Sequence, residues 1–336
     1  MKEKNILITG ISGLIGKHIA IELLKYENSF KIFGQYFSSK DLGFFIENNI
    51  QLVQADISKK EAIKNMTQNM NTVVHSAARV IDFGTKEDFY KAHYYATLDI
   101  LEDCKQNMVK HFIYISSIGV ASGIDRKMLV PNEQTHTPKT GIIYDDVKID
   151  TEILVKDFCA KNDIFYTIVR PSAVVGPASV WVKEPLERII NKGFFPLIDD
   201  GKQSACLIDV RNLANGIYAI ITNPIAYNQT YFFMDDFTNI TWKMYFTDLL
   251  AMVGAKPSIS LPYRLIYPIA VLMEKIANIS GKKPLIAKKS LQAIGTDRTV
   301  SCQKAKDELK WESKHQYNDT ISYIKTWVAS HYPNHK

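Results

Sequence analysis

The sequence has few cysteines, and nothing in their arrangement pairs them. Cys104, Cys159, Cys206 and Cys302 are widely separated and form no CxxC pair and no metal-ligand spacing. Scattered thiols of this kind are typical of a reducing compartment, so we expect a cytoplasmic protein without a bound metal. His75 has no partner at ligand spacing either, and we expect it to be a packed or hydrogen-bonding side chain.

Long apolar runs and long basic runs are also missing. The most apolar stretch, residues 265–279, is interrupted by Glu274 and Lys275, so the sequence predicts no transmembrane segment. The chain begins almost at once with a strand-like segment, and we expect no signal peptide. The formal net charge of +6 is spread along the chain, which suits an anionic cofactor and does not indicate nucleic-acid binding.

A glycine-rich turn lies between a predicted strand and a predicted helix near the amino terminus. Residues 6–8 read as a strand buried on both faces, and residues 14–24 have helical periodicity. Gly10 allows a tight turn, Gly13 lets a phosphate approach the backbone, and Gly16 lets the helix pack closely. The helix would present free N–H groups to a pyrophosphate, so the segment predicts a dinucleotide site; the alternative is an ordinary turn.

The end of the second predicted strand, residues 31–37, bears on which dinucleotide is bound. NAD is usually held there by an acidic side chain about twenty residues past the glycines. Here Ser38, Ser39 and Lys40 follow the strand, and Asp41 comes late. Two hydroxyls and a cation suit a ribose 2′-phosphate, which a carboxylate would repel, so we favour NADP over NAD. The alternative is that these residues cap the next helix.

A tyrosine and a lysine four residues apart, Tyr144 and Lys148, open a predicted helix and share one of its faces. Moving a hydride between a carbinol and nicotinamide also moves a proton, and a phenol with a pKa of about 10 is a poor base at neutral pH. A nearby ammonium favours the phenolate, so Lys148 would make Tyr144 a usable acid and base. The alternative is an exposed pair on a helix. A serine at the end of the fifth predicted strand, Ser116 or Ser117, would orient the substrate oxygen.

Several motifs resemble the extended branch of the short-chain dehydrogenase/reductase superfamily, the NAD-dependent epimerases and dehydratases. They are TGxxGxxG at residues 9–16, SSxxV at 116–120, YxxxK at 144–148, RPxxVxGP at 170–177 and KAxxEL with a following Trp at 304–311. The segment VVHSAARVIDFG is closest in pattern to the 3β-hydroxysteroid dehydrogenase and dihydroflavonol reductase groups. The resemblance implies an α/β fold, a Rossmann doubly wound parallel sheet with a smaller, mostly helical substrate domain.

The resemblance also implies site residues. It selects Ser117 over Ser116 because of the spacing to Val120, and it gives Asp56 a contact to the adenine, with helix capping as the alternative. His93 stands where relatives often carry an Asn that braces the site. The implied cofactor contacts come from the glycine turn and the following strand ends: Thr9, Gly10, Ser12, Gly13, Leu14, Ile15, Gly16, Asp56, Ile57, Ser76, Ala77, Ala78, Tyr144, Lys148, Pro171, Ser172 and Val174.

Two alanines indicate the kind of substrate. Ala173 and Ala205 stand where sugar-nucleotide epimerases and dehydratases usually have an Asn and an Arg that hold the substrate pyrophosphate. We therefore predict an oxidoreductase that interconverts a ketone and a secondary alcohol on a relatively apolar substrate. The alternative is a nucleotide-sugar epimerase or dehydratase with a tightly bound cofactor.

The division of the chain follows from where its segments would pack. We predict a cofactor domain from residues 1–178 plus 209–236, and a substrate domain from 179–208 plus 237–330. The apolar segment 261–286 would be a core helix, an apolar substrate wall or a peripheral membrane contact. The long helix predicted at 88–106 is of the kind that builds dimer interfaces in such enzymes, so we expect a homodimer.

Overall fold

The apolar runs at the centre of the sequence predictions pair into one sheet. The computed structural model describes residues 3–26, 28–38, 41–79, 84–121, 139, 141–237, 239–280, 284 and 286–333. Its strands are β1 (Lys4–Thr9), β2 (Phe30–Tyr36), β3 (Gln51–Gln54), β4 (Thr72–His75), β5 (His111–Ile115), β6 (Phe165–Pro171), β7 (Ala173–Val175), β8 (Leu197–Ile198), β9 (Leu207–Asp209), β10 (Gln229–Phe233) and β11 (Ser260–Leu261).

Helices cover both faces of this sheet and make up most of the carboxyl-terminal half. They are α1 (Leu14–Leu24), α2 (Gly43–Glu47), α3 (Lys86–Tyr90), α4 (Ala96–Gln106), α5 (Ile143–Lys161), α6 (Val180–Lys192), α7 (Val210–Thr222), α8 (Trp242–Ala251), α9 (Tyr263–Ser280), α10 (Lys288–Gly295), α11 (Gln303–Leu309) and α12 (Tyr317–His331). Single 3-10 turns lie at Lys60–Ile63, Ile118–Ala121, Asp199–Gly201 and Pro224–Ala226.

The main sheet has seven strands in the order β10-β6-β5-β4-β1-β2-β3, and every pairing in it is parallel. β1 lies between β2 and β4, so the direction of winding reverses on either side of it. A doubly wound sheet binds its ligands at the carboxyl ends of the strands beside this reversal. The glycine turn follows β1 directly, and the fold predicted from the sequence is confirmed.

Alternating residues of the central strands enter two different cores. Ile6 and Ile8 pack into the cluster that α1 and α7 cover, and Leu7 between them packs into the cluster under α4 and α5. All three are fully buried. A strand buried on both faces can therefore be apolar at every position, which is how residues 6–8 read in the sequence.

The carboxyl-terminal half has its own apolar cluster. Leu186 of α6, Phe246 and Leu249 of α8 and Ile324 of α12 meet there. A short parallel pair, β7 with β9, joins this half to the end of β6, and a second, β8 with β11, lies within the half. The half is mostly helical, as predicted; the domain boundaries at 178, 209 and 236 stay predictions.

The helix predicted at residues 88–106 is not continuous. A five-residue π-helical turn, Lys91–Tyr95, separates α3 from α4. Such a turn leaves a carbonyl without its usual helical partner, and here the hydroxyl of Thr97 donates to the carbonyl of His93 at 2.5 Å. The periodicity of the sequence does not reveal hydrogen bonds of this kind, so the helix was predicted as continuous.

Candidate active site

The glycine turn between β1 and α1 has the shape that a pyrophosphate needs. Gly10 has a φ of 66°, and a Cβ there would lie 2.8 Å from the Cα of Ala77. A Cβ at Gly16 would lie 2.4 Å from the carbonyl oxygen of Gly10. Gly13 is exposed and precedes α1 without a side-chain cap. The residues present therefore fit a dinucleotide, whose pyrophosphate would meet backbone N–H groups of α1.

Gln35 of β2 holds this turn, and it was not among the predicted site residues. Its side-chain oxygen accepts a hydrogen bond from the N–H of Gly10 at 2.9 Å, and its side-chain nitrogen donates to the carbonyl of Ala55 at 2.6 Å. Gln35 is buried in a strand that is otherwise largely apolar. The sequence signal that could have identified it is a glutamine in an otherwise largely apolar strand, since a buried amide needs hydrogen-bond partners.

A buried chain of hydrogen bonds leads from the glycine turn to the π-helical turn. The Nδ1 atom of His75 lies 2.8 Å from the hydroxyl oxygen of Thr9, and its Nε2 atom lies 3.0 Å from that of Thr97. Burial lowers the pKa of His75 to about 3, so the ring is neutral and bonds through both nitrogens. His75 is thus a hydrogen-bonding side chain, as the sequence analysis expected.

Tyr144 and Lys148 lie on the first turns of α5, and Ser117 follows β5. Lys148 is 2% exposed, and its ammonium donates to the carbonyl of Ile115 at 2.8 Å, two residues before Ser117. The 3-10 turn after Ser117 packs on the start of α5, because Gly119 leaves room for Asp145: a Cβ there would lie 2.1 Å from its carboxylate. The structure therefore brings the three predicted residues to one edge of the sheet.

The surroundings of Tyr144 are aromatic and basic. The His93 ring meets it edge-on with centroids 5.6 Å apart, and Phe89 does so at 6.5 Å. The ammonium of Lys148 lies 5.9 Å from the centre of the Tyr144 ring. The ammonium of Lys289, from α10, lies only 3.6 Å from the same centre. Lys289 was missed by the sequence analysis, since nothing local links residue 289 to residue 144.

Two groups near Tyr144, Lys148 and His93, have pKa values well below their usual ones. Burial lowers the pKa of Lys148 to about 7, and the Glu152 carboxylate opposes this effect. Burial also lowers the pKa of His93 to about 2, so that ring is neutral. The Nε2 atom of His93 is buried with no hydrogen-bond partner among the described residues. Unsatisfied groups of this kind are rare in proteins and concentrate at functional sites.

One turn further along α5 lies a polar cluster of a different kind. Glu152 and Arg170 are fully buried and form an ion pair, with Arg170 donating at 3.0 Å and 2.7 Å to the two carboxylate oxygens. The hydroxyl of Ser116 also donates to Glu152. Ser116 is therefore occupied in packing the strand end, whereas Ser117 is partly exposed and accepts a bond from the N–H of Gly119.

The other predicted cofactor residues sit at strand ends along the same edge. Ser76, Ala77 and Ala78 follow β4 and are partly exposed, and the Ser76 hydroxyl donates to the carbonyl of Thr9. Ser172 follows β6, and its hydroxyl oxygen is buried without a hydrogen-bond partner among the described residues. The rest of the set lies in the glycine turn or beside these strands: Ser12, Leu14, Ile15, Ile57, Pro171 and Val174.

Asp56 follows β3 and has a local partner. Its carboxylate accepts from the N–H and the hydroxyl of Ser58, and these bonds hold the pKa of Asp56 below its usual value. The helix predicted from Lys59 is only the 3-10 turn Lys60–Ile63, so Asp56 caps a turn and not a helix. Its contact to the adenine stays a prediction.

Some predicted residues lie outside the part of the chain that the structure describes. Ser38 is described and is exposed after β2, but Ser39 and Lys40 are not among the described residues. Most of the segment between Ser117 and Tyr144 is also outside them. Within the described residues, no group of three or more His, Cys, Asp and Glu side chains is placed to hold a metal.

Comparison with known proteins gives the family. The model of the NAD dependent epimerase/dehydratase family matches residues 6–231, more than half of the chain. The chain belongs to that family. The family is named for its NAD dependence, and the chain is an enzyme of the extended short-chain dehydrogenase/reductase type, as the motifs predicted.

Three similar proteins illustrate the relationship. A 3beta-hydroxysteroid-dehydrogenase/decarboxylase of Arabidopsis thaliana is 23% identical over 335 residues, which cover 91% of this chain and 75% of the relative. A sterol-4-alpha-carboxylate 3-dehydrogenase of Dictyostelium discoideum is 24% identical, covering 96% of this chain and all of the relative. The structure of an epimerase from Methanothermobacter thermautotrophicus superposes with a TM-score of 0.79 at 18% identity, covering 99% and 94% of the two chains, and this likeness shows the fold.

Proposed function

We propose that the enzyme interconverts a ketone and a secondary alcohol, with Tyr144 as the acid and base, Lys148 as its cationic neighbour and ribose ligand, and Ser117 as the group that orients the substrate oxygen. The observation that carries the proposal is that Tyr144 lies near Lys148 at the carboxyl ends of the strands, the side of the sheet on which the glycine turn follows β1. A bound nicotinamide dinucleotide supplies the hydride acceptor or donor.

The protein's own part is to move one proton and to hold one oxygen. In oxidation, the Tyr144 oxygen accepts the hydroxyl proton of the carbinol; in reduction it donates a proton to the forming alkoxide. Ser117 would hold the same substrate oxygen by a hydrogen bond, which keeps it within reach of the phenol. Lys148 stabilises the phenolate when it is charged.

The substrate we propose is relatively apolar. The N–H of Ala173 donates at 2.9 Å to the carbonyl of Cys206, the residue after Ala205. The two alanines that stand where relatives carry pyrophosphate ligands thus lie next to each other. A dianionic pyrophosphate placed there would lack both side-chain donors, which weakens its binding relative to an uncharged ketone.

The test is a titration followed by a turnover screen. We expect the purified protein to bind reduced nicotinamide dinucleotide reversibly and to reduce apolar ketones faster than it converts nucleotide sugars. Absence of any dinucleotide binding would refute the proposal. One equivalent of NAD retained through purification, together with turnover of nucleotide sugars, would instead establish the epimerase alternative.

We propose further that NADP is preferred over NAD. Two features support this preference. Ser38 is exposed, and it does not cap α2, because the N-cap residue of that helix is Leu42. The carboxylate of Asp41 accepts from the N–H of Gly43 at the start of α2. We expect NADPH to bind at least about 10-fold more tightly than NADH, and Lys40→Glu to reverse the order. Equal affinities would contradict the preference.

A homodimer through α5 and the π-helical turn is the assembly we propose. Tyr95 and Ile153 are 55% and 44% exposed on this face, and Tyr94, Leu154 and Phe158 line the groove between them. A second copy would cover these side chains. Sedimentation should show a dimer, and Tyr95→Asp with Ile153→Asp should give a monomer; a monomeric parent protein would exclude it.

We also propose a peripheral membrane contact through α9. Four large apolar side chains at helical spacing, Leu265, Ile269, Leu272 and Ile276, are 65%, 48%, 58% and 55% exposed. Exposed Arg264 and Lys275 flank them, which suits an anionic lipid surface. None of the described helices is long and apolar enough to cross a membrane.

Vesicle sedimentation tests this contact. The protein should sediment with vesicles that contain phosphatidylserine and less with pure phosphatidylcholine, and Leu272→Glu should abolish the difference. Met108→Glu, at a residue 77% exposed elsewhere on the surface, is the control. No sedimentation of the parent protein with either vesicle would exclude the contact.

The compartment we propose is the cytoplasm, which the four buried free thiols support.

A further inference from the structure

Lys289 reaches the predicted catalytic tyrosine from the opposite half of the molecule. Its ammonium lies 3.6 Å from the centre of the Tyr144 ring, nearer than the ammonium of Lys148 at 5.9 Å. A cation at this distance interacts with the negative face of the ring. The interaction strengthens when the phenol loses its proton, because the ring and its oxygen then carry a full negative charge.

The position of Lys289 is set by the packing of α10. The N–H of Lys288 donates to the Glu274 carboxylate of α9 at 2.6 Å, and the Lys288 ammonium donates to the carbonyl of Gly141 at 3.1 Å. Leu291 is 1% exposed in the cluster with Tyr263. These contacts anchor α10 against the start of α5, so the two adjacent lysines have different partners.

Four titratable groups, one from α5 and three from other parts of the fold, face Tyr144 or its helix turn. Lys148 belongs to α5 itself, His93 to the π-helical turn, Tyr114 to β5 and Lys289 to α10. His93 is neutral, since burial lowers its pKa to about 2, and burial raises the pKa of Tyr114 well above its usual value. The two lysines are therefore the groups in this set that can carry positive charge.

Lys148 alone is a weak source of that charge. Burial, with a smaller contribution from the charge of Lys289, lowers its pKa to about 7 although the Glu152 carboxylate opposes the shift. At neutral pH a fraction of the molecules thus holds Lys148 without its proton. A second cation that is less deeply buried would keep the phenolate stabilised across that range.

We propose that Lys289 is a positioning residue for the reaction: a second cation, delivered by the substrate half, that stabilises the phenolate of Tyr144. The proposal rests on the proposed function, because it takes Tyr144 as the group that accepts the carbinol proton. It adds that the proton acceptor is completed only when α10 is docked on α5. A merely structural lysine would leave the acidity of Tyr144 unchanged.

The test measures the acidity of Tyr144 without substrate or turnover. The full-length protein is labelled with ¹³C at the ζ carbon of tyrosine, and the Tyr144 signal is assigned by its loss in Tyr144→Phe. The signal is then titrated in the parent protein, Lys289→Met, Lys289→Arg and Lys288→Met. Lys288 is the matched control, since it is the neighbouring lysine of the same helix and bonds a carbonyl instead of the ring.

We expect Lys289→Met to raise the pKa of Tyr144 by about one unit or more, and Lys289→Arg to keep it near the parent value. Lys288→Met should leave it within a few tenths of a unit. No rise in Lys289→Met would overturn the proposal, and so would an equal rise in Lys289→Arg, which keeps the positive charge. If Lys289→Met does not fold, the pair Lys289→Gln and Lys289→Arg decides the question by the same comparison.

These outcomes are separate from those of the proposed function. A protein that reduces no ketone but shows the expected titration would retain the inference about Lys289 and lose the proposed reaction. Where turnover is found, the pH at which kcat/KM for alcohol oxidation reaches half its plateau should rise in Lys289→Met by the same amount as the titration. An unchanged profile would overturn the role of Lys289 in the reaction.

Discussion

Two polar clusters share one face of α5, and they differ in how their charges are balanced. Near the start of the helix, Lys148 is buried with a pKa of about 7, and the Nε2 atom of the neighbouring His93 has no partner among the described residues. One turn on, Glu152 is equally buried but is paired with Arg170 and accepts from Ser116. The first cluster is costly to bury, and the second compensates its charges.

The difference indicates which cluster is there for chemistry. A buried ion pair whose oxygens and nitrogens are bonded connects strand to helix and needs no further ligand. A buried lysine held by one carbonyl and a histidine atom without a partner are retained against a free-energy cost, and a bound dinucleotide and substrate would supply the missing partners. In our proposal the same helix thus serves structure at one turn and the reaction at the turn before it.

The largest expected effect is that of Tyr144→Phe, which should lower the rate of the reaction and leave the fold intact. Tyr144→Phe removes the proton donor and acceptor but keeps the ring that packs against Phe89 and His93. We expect kcat to fall by about 10⁴-fold while the melting temperature and the affinity for the dinucleotide stay close to those of the parent protein. Steady-state kinetics with a thermal melt checks this. Retention of more than a tenth of the parent rate would show that Tyr144 is not the acid and base.

In the second cluster, Glu152 with Arg170, a substitution should lower the stability of the fold. Arg170→Met leaves the Glu152 carboxylate buried without its partner, so we expect unfolding to become easier by about 3–5 kcal/mol. Lys183→Met is the control, because Lys183 and Glu187 form an exposed pair worth less than about 1 kcal/mol. Denaturant titration measures both. Similar losses in the two variants would mean that the buried pair is not structural.

A smaller effect should appear in the pH dependence of stability. Between pH 7 and about 10.5, the unfolded chain holds a proton on Lys148 that the folded chain releases, so the burial of Lys148 destabilises the fold most at low pH and least at high pH. Lys148→Met should therefore stabilise the protein by several kcal/mol at pH 6, and the gain should shrink toward zero above about pH 10. Melting curves across this range check it. A gain that is independent of pH would show that the lysine is not buried as described.

The smallest effect distinguishes two adjacent serines. Ser116→Ala should reduce stability by about 1–2 kcal/mol and leave kcat unchanged, because its hydroxyl donates to Glu152. Ser117→Ala should leave stability unchanged and lower kcat by about 10²-fold, since its partly exposed hydroxyl would orient the substrate. The exchange of these two outcomes would reverse the assignment of the serines.

Much of the cofactor half was predictable because its signals are local. The apolar run at residues 6–8, the three glycines after it and the four-residue spacing of Tyr144 and Lys148 each specify a conformation within one or two elements. The helical periodicity at residues 14–24 coincides with α1, and the second predicted strand, residues 31–37, overlaps β2. The π-helical turn at Lys91–Tyr95 was not predicted, because the hydrogen bonds that accompany it, from Thr97 to His93 and between Thr97 and His75, are not visible in the sequence pattern.

The sequence by itself determined the glycine turn and the residues that we assign to proton transfer, since strand burial, turn geometry and helical spacing act over short stretches of chain. The doubly wound sheet was implied by the resemblance of the motifs to a known family. Only the tertiary structure decided that Gln35 holds the turn, that Glu152 neutralises Arg170 and that Lys289 meets Tyr144. Those contacts join residues that are 25, 18 and 145 positions apart in the chain. Burial, and with it the charge state of Lys148, depends on what the rest of the chain packs around a side chain, and no local pattern contains that information.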